Sequence, residues 1–295
     1  MKTRRGDTGK IESRSVAQNL VSPKSRSPLI TLLTDFGTVD YFVGAVKAVI
    51  LSLNPSATIV DITHDIPPQD IVAGAFTLLA SYRSFPPGTI HVVVVDPGVG
   101  SDRKPVLVTA GGQFFIGPDN GIFSYIYERE TVTGCYELNQ AKYFHQPVST
   151  TFHGRDIFAP VAAALSSGVS PAELGSEVTE LAGLVRLESL SPIVKKTGKW
   201  RCRVIHVDRF GNLVTNITPA VLGAEAESRA SVRIGKRSIK SFRKFFAGGN
   251  NTKGELFAIW GSTGFLEIAA TNRSAARLLK VKRGQSVTLE IESRK

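Results

Sequence analysis

The sequence predicts an α/β N-terminal domain with a mainly parallel central sheet, followed by a smaller β-rich C-terminal domain. Three observations carry this. From Leu29 to about Gly168, apolar runs of strand length alternate with stretches of helical apolar spacing. Beyond about Pro192 the helical runs give way to short β-like segments separated by Gly and Asn turns. The charge changes at the same place: residues 28–192 hold eight basic and sixteen acidic groups, whereas residues 193–295 hold twenty-one basic and seven acidic.

The elements follow in order. "LITLLTDF" reads as a buried strand, and "YFVGAVKAVILSLNP" as an amphipathic helix stopped at Asn54-Pro55. "ATIVDIT" is a second strand. "DIVAGAFTLLASYRSF" is a second helix, ended by Pro86-Pro87-Gly88, and "TIHVVVVD" is a third strand. Continuous apolar strands joined by helices imply a parallel sheet covered on both faces. "PVLVTA" and "QFFIG" are shorter strands joined by Gly111-Gly112. A helix around "GIFSYIYERE", a strand "GCYELN" and a helix after "FHGRDIFAP" complete the first domain, residues 28–190. In residues 191–295 the segments "KWRCRVIHVD", "NLVTNIT", "ASVRIG", "ELFAIWG", "FLEIAAT" and "SVTLEIE" suggest an antiparallel sheet or barrel, interrupted by one helical stretch, "SAARLLKV".

Residues 1–27 carry seven basic and two acidic groups with almost no apolar periodicity, and read as a disordered basic tail. A transit peptide is the alternative. The two cysteines, Cys135 and Cys202, are far apart and form neither a disulfide framework nor a CxxC site, which fits a cytoplasmic setting. No run reaches the roughly 18 apolar residues of a membrane span.

In a parallel α/β sheet, ligands bind beyond the carboxyl ends of the strands. Asp35, Asp61, Asp65 and Asp96 fall there. Each is also suited to cap the following helix. Beside Asp35 and Asp96, Gly37, Gly98 and Gly100 favour close approach of a ligand. The loop "DPGVGSDR" is neither a dinucleotide fingerprint nor a phosphate loop, since a third glycine is missing and Asp96 would repel a pyrophosphate. Asp61, His64 and Asp65 in "DITHDI" match turn hydrogen bonding better than a metal site. His153, beside Gly154 at the entrance to a helix and flanked by charge, is the histidine best placed for chemistry. In the second domain, Asp208, Asn212 and Asn216 surround Phe210-Gly211, and Ser262, Thr263 and Gly264 form a polar turn. Asn side chains there suit a purine edge or an amine. Phe245 and Phe246 are candidates to stack on a base.

Taken together, "LTDFGTVDYFVGAVK", "ITHDIPPQDI", "VVDPGVGSDR", "GPDNG", "TFHGRDIFAP", "VDRFGN" and "GSTGFLEIA" closely resemble the S-adenosylmethionine hydroxide adenosyltransferases, relatives of the fluorinases and chlorinases. The resemblance runs in order from about Leu29 to Glu292. It implies a C-terminal β-barrel-like domain and a homotrimer, with sites between the N-terminal domain of one subunit and the C-terminal domain of the next. It implies attack of water or hydroxide on ribose C5′ of S-adenosyl-L-methionine, giving adenosine and L-methionine, with no metal or redox cofactor. Carried over residue by residue, it makes Asp96, Arg103 and His153 the water-activating set and Asp35 the ribose-binding carboxylate. Asp208 is then set near the methionine amine and Asn212 at the adenine. Ser262, Thr263 and the adjoining backbone fall near the methionyl or adenine end. Halogenase relatives carry tyrosines in place of Asp96 and His153, serine in place of Gly154, and a longer loop where this chain has Gly111-Gly112.

A sulfonium substrate makes methionine a neutral leaving group, so the catalytic task is to deliver an oxygen in line with the C5′–S bond. Because a carboxylate beside arginine is a weaker base, the expectation is that Asp96 and Arg103 orient the water while His153 accepts or relays its proton. The alternatives are a halide-dependent enzyme, or a non-catalytic adenosine- or nucleic-acid-binding protein using the basic C-terminal domain; no membrane partner is expected.

Overall fold

The computed structural model describes residues 29–188, 190–196, 198–223, 227–248 and 252–292. The expected basic tail falls outside the described residues.

Strong apolar runs form the centre of the first sheet. Its strands are β1 (Leu29–Thr34), β2 (Thr58–Thr63), β3 (Ile90–Val94), β4 (Pro105–Ala110), β5 (Gln113–Pro118), β6 (Val132–Glu137) and β7 (Ser176–Glu177), in spatial order β2-β1-β3-β5-β4-β6-β7. Its helices are α1 (Phe42–Leu53), α2 (Ile71–Ser81), α3 (Ser124–Arg129), α4 (Ala159–Ser166) and α5 (Pro171–Leu174). Successive residues of a strand face opposite sides. In β3, Val92 and Val94 therefore join a core with α1 and α4, while Val93, followed by Val95, joins a core with α2 and α3.

The sheet is only partly parallel, which corrects the mainly parallel expectation. β2, β1, β3 and β5 run parallel, but β4 is antiparallel to β5 and β6, and β6 to β7. The cause is local. Gly111 and Gly112 take φ of 57° and 74°. Two successive positive-φ residues make the tight hairpin turn that forces its strands antiparallel.

The capping alternative also fails for the four strand-end carboxylates. α1 starts at Tyr41 without a side-chain cap, and α2 is capped by Asp70, which accepts from the Ala73 N–H at 3.0 Å.

The C-terminal strands are β8 (Ile193–Lys196), β9 (Lys199–Val207), β10 (Leu213–Thr215), β11 (Ala230–Ile234), β12 (Arg237–Ile239), β13 (Phe242–Arg243), β14 (Leu256–Trp260), β15 (Leu266–Ala270) and β16 (Ser286–Ile291), with short helices α6 (Pro219–Leu222) and α7 (Ala275–Leu279). They form one curled, half-barrel sheet in the order β12-β11-β16-β9-β10-β15-β14-β13, with β8 against β9. β9 carries the curl: Lys199–Arg203 pair with β16, and Val204–Val207 pair with β10.

The two sheets share a core. Ile205, Val214 and Phe265 pack in the same cluster as Phe76, Tyr125 and Ile126 of α2 and α3. Cys135 and Cys202 are buried free thiols. No helix among the described residues is long and apolar enough to cross a membrane.

Candidate active site

The valines of β3 lead directly to Asp96. Val94 and Val95 are buried, so the carboxylate that follows stands on a fixed strand end. Asn120, within "GPDNG", donates to the Val95 carbonyl at 2.8 Å and holds this end from the side. The next residues turn twice, with Val99 N–H bonded to Asp96 O at 3.2 Å and Ser101 N–H to Gly98 O at 3.1 Å. Arg103 is thereby brought back over Asp96.

The guanidinium grips the carboxylate through two nitrogens. Nε lies 3.1 and 3.0 Å from the two oxygens, and Nη2 lies 2.5 Å from Oδ2. The same Nη2 lies 2.7 Å from His153 Nδ1. Asp96, Arg103 and His153 are thus joined directly, with Arg103 as the bridge. The Arg103 and Asp96 side chains are only 9% and 5% exposed, which shields the network from solvent.

His153 stands at the start of a single π-helical turn, Gly154–Phe158, that runs into α4. Such turns are frequent at functional sites. The loop before it is pinned by Asp156, which is fully buried. Its carboxylate accepts from the Ser149 N–H at 2.8 Å and from Arg155 Nε and Nη2 at 2.6 and 2.9 Å. Burial raises the Asp156 pKa, but these bonds outweigh it and leave the carboxyl below its usual range. Gly100 completes the approach of the two loops: its φ is +80°, and a Cβ there would meet the Thr150 carbonyl oxygen at 2.3 Å.

This geometry bears on the expectation for His153. A guanidinium has only donors, so Nδ1 must present a lone pair to it. In the neutral ring the proton is then on Nε2, which donates. Burial, and then the Arg103 charge, push the His153 pKa below its ordinary value. The ring cannot take a proton on Nδ1 without releasing Arg103. With Nδ1 facing Arg103, Nε2 is left as the ring's donor, and the oxygen atoms of Asp96 are acceptors.

Asp35 follows β1, the parallel neighbour of β3, with Thr34 in register with Val94. Its Oδ2 accepts from the Gln69 N–H at 2.7 Å. Asp61 instead pairs with Lys47 at 2.6 Å and lies 3.1 Å from His64 Nε2, whose Nδ1 bonds Thr34 Oγ1 at 2.8 Å. This is a turn-holding network, as expected from the sequence.

Asp208, Asn212 and Ser262 line a different feature, a cleft of about 1360 Å³ on the curled sheet. Asn212 donates to Asp208 twice, from its backbone N–H at 2.8 Å and from Nδ2 at 2.9 Å. Thr263 does not line the cleft; its Oγ1 is buried without a hydrogen-bond partner. Asn216 is buried and structural, donating to Leu190 O at 2.8 Å and accepting from Arg203 N–H at 2.8 Å. Phe246 lines the cleft with its ring edge-on to Phe257 at 6.1 Å, whereas Phe245 does not line it. None of Asp35, Asp96, Arg103 and His153 lines this cleft.

Glu267, Phe210 and Trp260 of the cleft were not singled out from the sequence. Glu267 sits in the quoted "GFLEIA", but one acid in a β pattern carries no signal of its own. Burial first, and Asp208 second, raise its pKa. Asn120 and Asp156 lie inside quoted motifs as well, and only their contacts reveal what they hold.

Two family models match the chain: the SAM hydroxide adenosyltransferase N-terminal domain over residues 30–175 and the C-terminal domain over residues 202–288. A protein named (R)-S-adenosyl-L-methionine hydrolase from Methanocaldococcus jannaschii is 36% identical over 265 residues, covering 86% of this chain and 92% of that protein. One of the same name from Salinispora arenicola is 37% identical over 266 residues, covering 88% and 97%. The crystal structure of an uncharacterized conserved protein from Thermotoga maritima matches with a TM-score of 0.80 at 36% identity, covering 88% of this chain and 99% of that one.

Proposed function

Because the chain belongs to the S-adenosylmethionine hydroxide adenosyltransferase family, we propose that it hydrolyses S-adenosyl-L-methionine to adenosine and L-methionine, acting on the (R) form named for its relatives. The observation that carries the mechanism is the single guanidinium of Arg103 bound to both Asp96 and His153.

Water is held between Asp96, which accepts one of its O–H groups, and the Nε2–H of His153, which donates to its oxygen. The water oxygen attacks C5′, the C5′–O bond forms, and the C5′–S pair departs with sulfur as the neutral thioether of methionine. As the new bond forms, the oxygen becomes a protonated alcohol, far more acidic than any carboxylic acid. A weak base therefore suffices, and Asp96 takes the proton and returns it to solvent. Arg103 keeps Asp96 aimed and His153 in its donor tautomer. The rate gain comes chiefly from placement, which reaches about 7–11 kcal/mol in well-oriented cases.

Asp35 binds the ribose hydroxyls, Asp208 the methionine amine and Asn212 the adenine, with Ser262 and Thr263 at the adjoining turn. No metal or redox cofactor takes part. The cleft bearing Asp208, Asn212 and Ser262 includes none of the water-activating residues. That separation supports a site completed between subunits of a homotrimer, with the acidic N-terminal region of one facing the basic C-terminal region of the next.

The test is turnover of each sulfonium epimer in ¹⁸O-labelled water, with and without chloride or fluoride. Labelled adenosine plus methionine from the (R) epimer, independent of halide, is expected. A 5′-halo-5′-deoxyadenosine product would replace this reading with the halogenase, and absence of any turnover with retained binding would replace it with the binding protein.

A further inference from the structure

We infer that Arg283, Asp70 and Gln69 form a strut that positions Asp35 from the far sheet; the inference rests on the reading of Asp35 as the ribose-binding carboxylate. Gln69 is one of few described residues other than glycine with positive φ, at 64°. Side chains disfavour that conformation, and it persists where the surroundings enforce it, commonly at functional sites. What it delivers is the Gln69 N–H, aimed at Asp35 Oδ2 at 2.7 Å.

The two loops involved are tied together along their length. Gly37 N–H bonds His64 O at 2.8 Å, Ile66 N–H bonds Thr34 O at 3.4 Å, and Thr34 Oγ1 meets His64 Nδ1 at 2.8 Å. The next residue, Asp70, uses its oxygens for two tasks. Oδ1 caps α2 through Ala73 N–H, while Oδ2 pairs with Arg283 at 2.6 Å. Arg283 belongs to the turn before β16, in the other sheet.

The sheet that carries Arg283 is packed directly against α2. Phe76, in the middle of α2, stacks on His206 of β9 at 4.7 Å with 21° between the rings, and shares a core with Ile205, Val214 and Phe265. A half-buried carboxylate is otherwise free to turn about its χ angles. With one oxygen held by Gln69, Asp35 presents the other in one direction. Arg283 acts through Asp70 and Gln69, so it is a positioning residue and makes no substrate contact.

The experiment measures KM and kcat for the full-length Asp35→Asn, Asp70→Asn, Arg283→Ala and Arg283→Lys variants, on S-adenosylmethionine and on its 2′-deoxyribose analogue, with a melting curve for each. Asp70→Asn keeps the cap, because Asn caps a helix as well as Asp does, and loses only the charge partner of Arg283. Asp70→Asn and Arg283→Ala each raise KM about five-fold. In the same variants kcat stays within about two-fold, the pattern of lost substrate binding. An Asp70→Asn, Arg283→Ala double variant does no more than either single, as for residues acting through one another. Arg283→Lys restores most of the loss. On the 2′-deoxy analogue, which leaves Asp35 only the 3′-hydroxyl, the KM increase shrinks, which a general loss of structure would not produce. Unchanged KM in Asp70→Asn and Arg283→Ala while Asp35→Asn raises it, or equal increases on both substrates, overturns the strut. Unchanged KM in Asp35→Asn overturns the ribose assignment beneath it.

Discussion

Arg103 sets the state of the groups around it. Its donors hold Asp96 in one orientation and oblige His153 to keep a lone pair on Nδ1. Because burial and the Arg103 charge lower the His153 pKa, the ring stays neutral through neutral pH and gains a proton only below its ordinary value of about 6.5. Protonation on Nδ1 expels Arg103. Activity is therefore expected to fall on the acid side with a midpoint below about pH 6.5, and the pH profile of kcat/KM in wild type and His153→Gln checks this: the limb should be absent in the variant. The Arg103→Lys variant keeps the charge but cannot reach both partners with a planar fork. It should lose about 10²-fold in kcat with little change in substrate binding, measured by steady-state kinetics beside calorimetric titration. The sequence already displayed these three residues, because Asp96 and Arg103 share one short loop and His153 stands beside glycine at a helix start. It did not display the tautomer, or the positive φ of Gln69, since both are set by partners distant in the chain.

Between the residues and the sheet lie two loops that must touch. Gly100 passes so close to the Thr150 carbonyl that a methyl group there would collide with backbone, and its φ of +80° also disfavours a side chain. Gly100→Ala is expected to separate the Arg103 loop from the His153 segment. Turnover should drop at least about ten-fold while far-ultraviolet circular dichroism remains that of the wild type; the expected loss corresponds to about 1.4 kcal/mol in barrier. At this scale the reading from sequence was uneven. The strands β1, β2 and β3 and the helices between them were legible from their apolar periods. The polarity of β4, β6 and β7 was not, although Gly111-Gly112 was visible as a short connection. The run of α/β alternation before it points to a further parallel strand, whereas the two-glycine hairpin reverses the chain.

Across the molecule, Phe265 holds the two sheets to one another. It is 1% exposed, lies 6.3 Å from the Phe76 ring, and receives Arg129 over its face at 5.2 Å. Phe265→Ala is expected to cost about 3–5 kcal/mol of stability, read from urea unfolding. The subunit arrangement has its own check. If each site takes its water-activating residues from one chain and its cleft from another, Asp96→Ala and Asp208→Ala are each inactive alone. Unfolded together and refolded as a mixture, they regain a fraction of wild-type turnover, whereas a site built within one chain regains none. This seam was invisible in the sequence because Phe76, His206 and Phe265 each look like an ordinary member of its own element.

The acidic pair in the cleft, Asp208 with Glu267, has a consequence for the end of the cycle. A field that draws in a cationic substrate meets two charges, of which the reaction removes one: sulfur leaves neutral and its positive charge departs as a proton, while the ammonium of methionine remains. On the proposed reading, adenosine carries no positive charge for these carboxylates, whereas methionine leaves with the ammonium that Asp208 would hold. Adenosine should consequently be a weak inhibitor: it binds more weakly than substrate, and the gap narrows in Asp208→Asn, as competition titrations would show.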